Sequence, residues 1–297
     1  MKRYALFNTL RRERILPYLY LAPALLVIII FFLGGFVLAL TMSLGYFPVV
    51  GLKEISFKYY QEVLTQAEFW HSLSFTFYIA FISTLISTVL GVFLAYQLLK
   101  IKLNQRFTSF LYKFPLAVPH LVAAVMILFL LSQGGLIARA MLKLGLLSGT
   151  GEFPAFFYSK NAVGIILIYC WKEIPFVTLM VYTVLQKIDT KLGEAAQILG
   201  ASSRQTFFHI LLPLSMPSII SASVIIFAYS FGAFELPYLL GATYPKTLSV
   251  WAYLNYISPE LLDRPLAMAI NTLISVGCAF LVFIYFWSTK KYFRNWS

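Results

Sequence analysis

Three charged residues lie inside long apolar segments of this sequence. Lys172 and Glu173 fall within the segment from Ala162 to Leu185, and Glu235 falls within the segment from Pro213 to Leu240. A charge at bilayer depth is costly and usually faces a bundle interior or a water-filled path. These three residues are therefore candidates for lining the route of a solute across a membrane.

Residues with the spacing of a catalytic or metal site are absent from the sequence. The three histidines are isolated, the two cysteines lie in apolar runs, and no Gly-x-Ser-x-Gly or Gly-x-x-x-x-Gly-Lys-[Ser/Thr] sequence occurs. We therefore expect no catalytic residue, no metal and no cofactor in this chain. A membrane enzyme is disfavoured for the same reason.

The composition predicts an integral membrane protein. Of the 297 residues, 60% are hydrophobic and only 11% are charged, and the mean hydropathy is +0.82. A soluble domain has roughly a quarter of its residues charged, so this chain has too little polar surface to cover a water-soluble globule. The 18% of aromatic residues suits contact with lipid and headgroups.

Six segments are long enough to cross a bilayer, which takes about 20 apolar residues in a helix. They are Leu16 to Leu44, Ser72 to Leu99, Phe114 to Leu136, Ala162 to Leu185, Pro213 to Leu240, and Leu266 to Thr289. Only helices and closed barrels satisfy the backbone in lipid, and these runs do not alternate as barrel strands do. The predicted fold class is all-α, a polytopic membrane protein whose six transmembrane helices occupy residues 16–289.

The charges between the segments predict the orientation. One side carries fifteen lysines and arginines against three acids, whereas the other carries seven against six. By the positive-inside rule, the basic segment 1–15 and the basic tail 290–297 both lie in the cytoplasm. The basic balance is thus an insertion signal, so the expected environment is a lipid bilayer and no nucleic-acid partner is expected.

The loop 186–213, between the fourth and fifth segments, predicts two short helices joined by a tight turn. The apolar face of the first helix consists of Leu192, Ala195, Ala196 and Leu199. Gly200 suits the left-handed residue that ends a helix. Ser202 then begins a second helix, with Gln205 three residues later to complete a capping box.

This loop also contains a motif with fixed spacing. Its residues are Glu194, Ala195, Ala196, Gly200, Ile210, Leu212 and Pro213. They fill every position of the EAA motif, EAA-x3-G-x9-I-x-LP, and the sequence therefore resembles the permeases of ABC importers. The resemblance implies a type I ABC importer (MetI-like) permease fold, in which this cytoplasmic loop is the coupling helix that docks on the ATP-binding subunit.

The resemblance also implies a set of partners. They are a dimer of ATP-binding subunits, which would bind the ATP and magnesium, a second permease that is homologous or identical, and an extracytoplasmic substrate-binding protein. The chain would then form half of the translocation pathway in a bacterial inner (cell) membrane, without enzymatic activity of its own.

Further motifs are similar to the spermidine/putrescine-type branch of these permeases. They are Leu199-Gly-Ala-Ser202, Trp171-x-x-x-Pro175-Phe176, and the stretch from Phe231 to Gly241. Permeases with such motifs import polyamines, aminoethylphosphonate, opines or ferric iron, and these substrates stay open here. The alternative function is a stand-alone secondary transporter or channel, in which Lys172 and Glu173 would be relay residues.

Two interpretations remain for each intramembrane charge. Lys172 and Glu173 are adjacent, about 100° apart on a helix, so we expect that they do not face one groove squarely. Each either fixes the orientation of its helix through a neighbour or contacts the substrate. Glu235 precedes Pro237, a predicted helix break, and either lines an outer gate, or caps a helix or contacts the binding protein.

Overall fold

A computed structural model describes residues 16–100, 105–188, 192, 195–196 and 198–294. Apart from one isolated bridge between Phe47 and Leu52, the described residues form helices, turns and loops without a β-strand. The described helices are α1 Leu16–Ser43, α2 Lys58–Thr65, α3 Ala67–Lys100, α4 Gln105–Ala117, α5 His120–Leu131, α6 Leu136–Lys143, α7 Val163–Leu185, α8 Ser203–Gly232, α9 Glu235–Leu240, α10 Leu248–Tyr256 and α11 Arg264–Arg294. The predicted all-α fold is confirmed.

Six stretches of the described chain are long and apolar enough to cross a membrane. They are Leu16–Ser43, Ala67–Lys100, His120–Lys143, Val163–Leu185, Ser203–Gly232 and Leu261–Tyr285. Four of them agree with the sequence expectation to within about five residues at each end. The third and fifth are displaced, and each displacement has a local cause.

The third predicted segment, Phe114 to Leu136, is divided by a break at Val118–Pro119. Residue 118 precedes a proline, a position that disfavours the helical backbone, and Pro119 is extended with ψ 147°. The chain therefore ends α4 at Ala117 and begins a new helix at His120. The span then continues through α6 to Lys143, beyond the predicted end.

The fifth span begins ten residues earlier and ends eight residues earlier than predicted. Its first turn begins after Ser202, and a π-helical turn at Phe207–Leu211 leads directly into Pro213. Helix α8 ends at Gly232, and Ala233 is extended with ψ 139°. The expected break near Pro237 thus lies at Ala233, and Pro237 is in the short helix α9.

The described residues divide into two compact units, those within 1–65 and 254–272, and those within 66–253 and 273–297. In the first unit, the Ser43 hydroxyl and the Tyr60 hydroxyl share a 2.7 Å hydrogen bond that joins α1 to α2. Most of α1 is exposed, as expected for a helix that meets lipid or another subunit.

The second unit is built on close packing between α3 and α7. Small residues repeat along one side of α3, at Ser83, Ser87, Gly91 and Ala95. Small residues let membrane helices approach closely. A Cβ atom on Gly91 would lie only 2.6 Å from the Val177 Cβ atom, and the Thr178 hydroxyl donates to the Gly91 carbonyl. This packing buries most of α7, including both of its charged residues.

Candidate translocation and coupling sites

Lys172 is buried, with 6% of its surface exposed, and its ammonium group lies at the break after α4. The ammonium donates to the carbonyls of Pro115 at 2.7 Å, Leu116 at 3.5 Å, and Val118. The last carbonyls of a helix have no partner within that helix, and a cation there is favoured by the helix dipole. Lys172 therefore caps the end of α4 from α7.

Glu173 is also buried, with 4% of its surface exposed, and accepts hydrogen bonds from two other helices. Ser87 of α3 donates to one carboxylate oxygen at 2.9 Å, and Ser230 of α8 donates to the other. No ion pair to Glu173 occurs among the described residues. The carboxylate therefore joins α3, α7 and α8.

One cavity of about 240 Å³ adjoins both charged residues. It is lined by Leu116, His120, Lys172, Glu173, Phe176, Ile225, Ile226 and Tyr229. The expectation that Lys172 and Glu173 do not face one groove squarely stays a prediction. Their separation around the helix sends the two charged groups to different neighbours, yet both residues border the same space.

Glu235 is exposed and is the first residue of the short helix α9. The sequence placed it inside a span, but the span ends at Gly232. A carboxylate in the first turn of a helix is favoured by the dipole. Glu235 is close enough to His120 and Tyr229 to interact electrostatically with both.

The first part of the EAA loop ends in the predicted tight turn. Gly200 has φ +86°, in the left-handed region that favours glycine. The Leu199 amide donates to the Ala195 carbonyl, and the Ala201 amide donates to the Ala196 carbonyl. Glu194, at the start of the motif, lies outside the described residues, as do residues 189–191 and 193.

The apolar side chains of this first helix are exposed to solvent. Leu192 is 49% exposed, Ile198 is 86% exposed and Leu199 is 88% exposed. Exposed large apolar side chains grouped together mark interaction surfaces. We call these three residues the loop surface.

The second part of the loop is fixed by the predicted capping box. The Ser202 hydroxyl accepts from the Gln205 amide at 3.3 Å, and the Gln205 side chain accepts from the Ser202 amide at 2.8 Å. Beyond them, Leu212 packs against the buried cluster that contains Val181 and Ile219. Ile210 and Pro213 are half-buried, so the end of the motif belongs to the span.

Sequence reasoning missed a contact between this loop and α3. The Tyr96 hydroxyl donates to the Ser203 carbonyl at 3.1 Å, and the Tyr96 ring lies 4.2 Å from the Phe207 ring between centroids. An aromatic residue near the end of a span suggests only an interface anchor. The partner lies 107 positions away, and no spacing rule indicates it.

The fold and these sites define a class of protein: a six-span membrane protein with an apolar loop surface between its fourth and fifth spans. Comparison with protein families narrows the class. Residues 87–293 match the family described as binding-protein-dependent transport system inner membrane component. The chain belongs to this family and is the permease subunit of an ABC importer.

Similar curated proteins transport different solutes. The spermidine/putrescine transport system permease protein PotB of Haemophilus influenzae is 29% identical over 74% of both chains. The sulfate transport system permease protein CysT of Salmonella typhimurium is 27% identical over 79% of this chain and 82% of the relative. The trehalose/maltose transport system permease protein MalF of Thermococcus litoralis is 30% identical over 82% of this chain and 85% of the relative.

Solved structures support the fold. A chain of a bacterial ABC transporter involved in the import of the acidic polysaccharide alginate matches with a TM-score of 0.75 at 19% identity, covering 95% of this chain and 98% of that one. A chain of the MetNI methionine ABC transporter matches with a TM-score of 0.52 at 20% identity, covering 80% of this chain and 98% of that one. The type I importer permease fold is thus confirmed.

Proposed function

We propose that this permease forms half of the pathway of an ATP-driven importer and that residues 186–213 couple it to an ATP-binding subunit. The observation that carries this proposal is the loop surface, where Ile198 and Leu199 leave more than four fifths of their area exposed. Two large apolar side chains next to a left-handed glycine form a surface that another protein can bury.

The hydrogen bonds of the loop support the same role. Local backbone bonds and the Ser202 capping box hold the turn without help from a partner. A preformed surface loses little conformational entropy on binding. The continuous helix α8 then connects the docked turn with the membrane span, so movement of the turn is transmitted to α8.

The remaining partners follow from the family. A second permease, homologous or identical, completes the pathway, and an extracytoplasmic binding protein delivers the solute. One relative of known structure is an alginate transporter solved in complex with a substrate-bound periplasmic protein. ATP and magnesium belong to the partner ATPase, and the stand-alone transporter alternative is set aside because the family is that of the binding-protein-dependent systems.

We further propose a small polar solute as substrate, with polyamines as the first candidates. The spermidine/putrescine permease of Haemophilus influenzae supports this choice, while sulfate and sugar relatives make a panel of solutes necessary. Aminoethylphosphonate, opines and ferric iron complete the panel.

The test is solute uptake by vesicles that contain the chain with its partner subunits. We expect uptake that requires both ATP and the binding protein and that persists when ion gradients are collapsed. Uptake by the purified chain alone, driven by an ion gradient, would contradict the proposal.

The orientation is tested separately. We propose that both termini lie in the cytoplasm, because cationic segments translocate poorly. A reporter that is active only outside the membrane, fused after Ser297, should therefore stay silent, and a strong signal would overturn the proposed orientation.

A further inference from the structure

We infer that the cavity beside Lys172 and Glu173 is a binding site for a primary ammonium group of the transported solute. This inference rests on the proposed import function and names the chemical class of substrate. The site lies wholly among α4, α5, α7 and α8, and its two charged residues are each more than nine-tenths buried.

The hydrogen-bonding capacity of the two charged residues decides which ligand fits. An ammonium group has three N–H donors, and those of Lys172 are occupied by the carbonyls of Pro115, Leu116 and Val118. A carboxylate has about four acceptor positions, and the described contacts of Glu173 occupy two of them. The unused capacity is therefore that of an acceptor, which suits a ligand that donates.

Helix α4 partly offsets the charge of Lys172. Its ammonium group lies against the carbonyl end of α4, which carries roughly half a negative charge, and donates to three carbonyls there. Glu173 has no cationic partner among the described residues. Glu235 lies outside the cavity lining, and its charge and that of Lys172 act in opposite directions on His120 at the cavity wall.

Aromatic residues complete the site. The His120 and Tyr229 rings lie 4.9 Å apart between centroids, and both line the cavity with Phe176. An aromatic face attracts a cation within about 6 Å. The volume of about 240 Å³ is below the roughly 300 Å³ at which pockets for drug-sized ligands begin, so the cavity suits a small amine or one end of a longer one.

The experiment uses the complete importer in proteoliposomes and measures labelled solute imported per ATP hydrolysed. The panel is spermidine, putrescine, sulfate, maltose, aminoethylphosphonate, an opine and ferric iron. We expect the wild type to import an amine and Glu173→Gln to reduce amine import per ATP at least tenfold. The control is Ser223→Ala, which removes the 2.8 Å hydrogen bond between Thr88 of α3 and Ser223 of α8, outside the cavity. We expect this variant to import the amine within twofold of wild type.

A second pair of variants keeps the inference testable if Glu173→Gln does not fold. Tyr229→Phe retains the aromatic face, whereas Tyr229→Leu removes it, so we expect the first to import the amine and the second to lose at least fivefold. Equal import by these two variants, or wild-type import by Glu173→Gln, would overturn the site.

The outcomes for the site and for the proposed function are distinguishable. A wild-type importer that moves only sulfate, maltose or ferric iron overturns the ammonium ligand while the import function stands. A wild-type complex that moves no solute in response to ATP overturns the proposed function itself.

Discussion

The loop 186–213 and the buried polar residues of α7 are held by opposite kinds of contact. In the loop, the hydrogen bonds around the Gly200 turn and the Ser202 capping box join residues three to five positions apart. The large apolar side chains of the loop surface face solvent. In α7, the partners of Lys172 and Glu173 lie 54 to 86 positions away, on three different helices. The loop can therefore change partner without unfolding, whereas the α7 contacts hold helices together.

This difference predicts how substitutions divide between folding and transport. Changes that remove the Lys172 contacts should reduce the amount of folded permease, because buried carbonyls lose their donor. Changes in the loop should leave the folded permease in the membrane and reduce only its coupling to ATP hydrolysis.

The largest effect is expected for Lys172→Met. Methionine has a similar length but donates no hydrogen bond, so the three carbonyls at the end of α4 lose their donor. Each unsatisfied buried group costs about 1–3 kcal/mol. We expect a large loss of monodisperse protein in mild detergent and a lower melting temperature.

Lys160→Met is the matched control for that prediction. Lys160 is exposed in the segment between α6 and α7, and its replacement should leave yield and melting temperature unchanged. If Lys172→Met is as stable as this control, the carbonyl contacts do not hold α4 in place.

Gly200→Val should produce the next largest effect, confined to transport. Valine at φ +86° is strained by about 1–3 kcal/mol, and the turn next to the loop surface must change. We expect normal membrane levels with at least a tenfold loss of ATP-driven uptake.

The control for Gly200→Val is a second glycine with the same backbone conformation. Gly51 has φ +85° and, like Gly200, has open space where a side chain would begin, but it belongs to the segment between α1 and α2. Gly51→Val introduces comparable strain and should transport normally. Equal losses of ATP-driven uptake in both variants would show that backbone strain alone causes the loss, wherever in the chain it lies.

A smaller effect is expected for Tyr96→Phe, which tests the contact between α3 and the loop. The change removes the hydrogen bond to the Ser203 carbonyl and keeps the ring against Phe207. A neutral hydrogen bond contributes about 1 kcal/mol, so we expect uptake per ATP to fall about two- to fivefold.

Tyr78→Phe provides the comparison on the same helix. The Tyr78 hydroxyl donates to the Asn161 carbonyl at 3.3 Å, near the opposite end of α3. That bond has no connection with the loop, so uptake per ATP should stay within experimental error. A similar loss in both variants would remove Tyr96 from the coupling contact.

The same contrast explains which parts of the molecule could be predicted from the sequence. The turn at Gly200 and the Ser202–Gln205 capping box follow from neighbouring residues, and both are present as expected. Hydropathy likewise located the six spans, since it reflects the composition of each segment.

Contacts between distant segments could not be predicted in this way. Nothing near Lys172 in the sequence indicates that α4 ends beside it, because that depends on the break at Pro119. The placement of Glu235 inside the fifth span was wrong for a related reason. The span ends at Gly232, and the extended Ala233 separates Glu235 from it.

The central claim is that the loop surface binds the ATP-binding subunit. The direct measurement is the amount of ATPase subunit that co-purifies with the permease in mild detergent, for the wild type, Ile198→Glu and Ile55→Glu. Ile55 is 72% exposed in the segment between α1 and α2, so Ile55→Glu controls for a new exposed charge. We expect one ATPase subunit per permease for the wild type and Ile55→Glu, and at least a tenfold loss for Ile198→Glu. Undiminished ATPase with Ile198→Glu would contradict it.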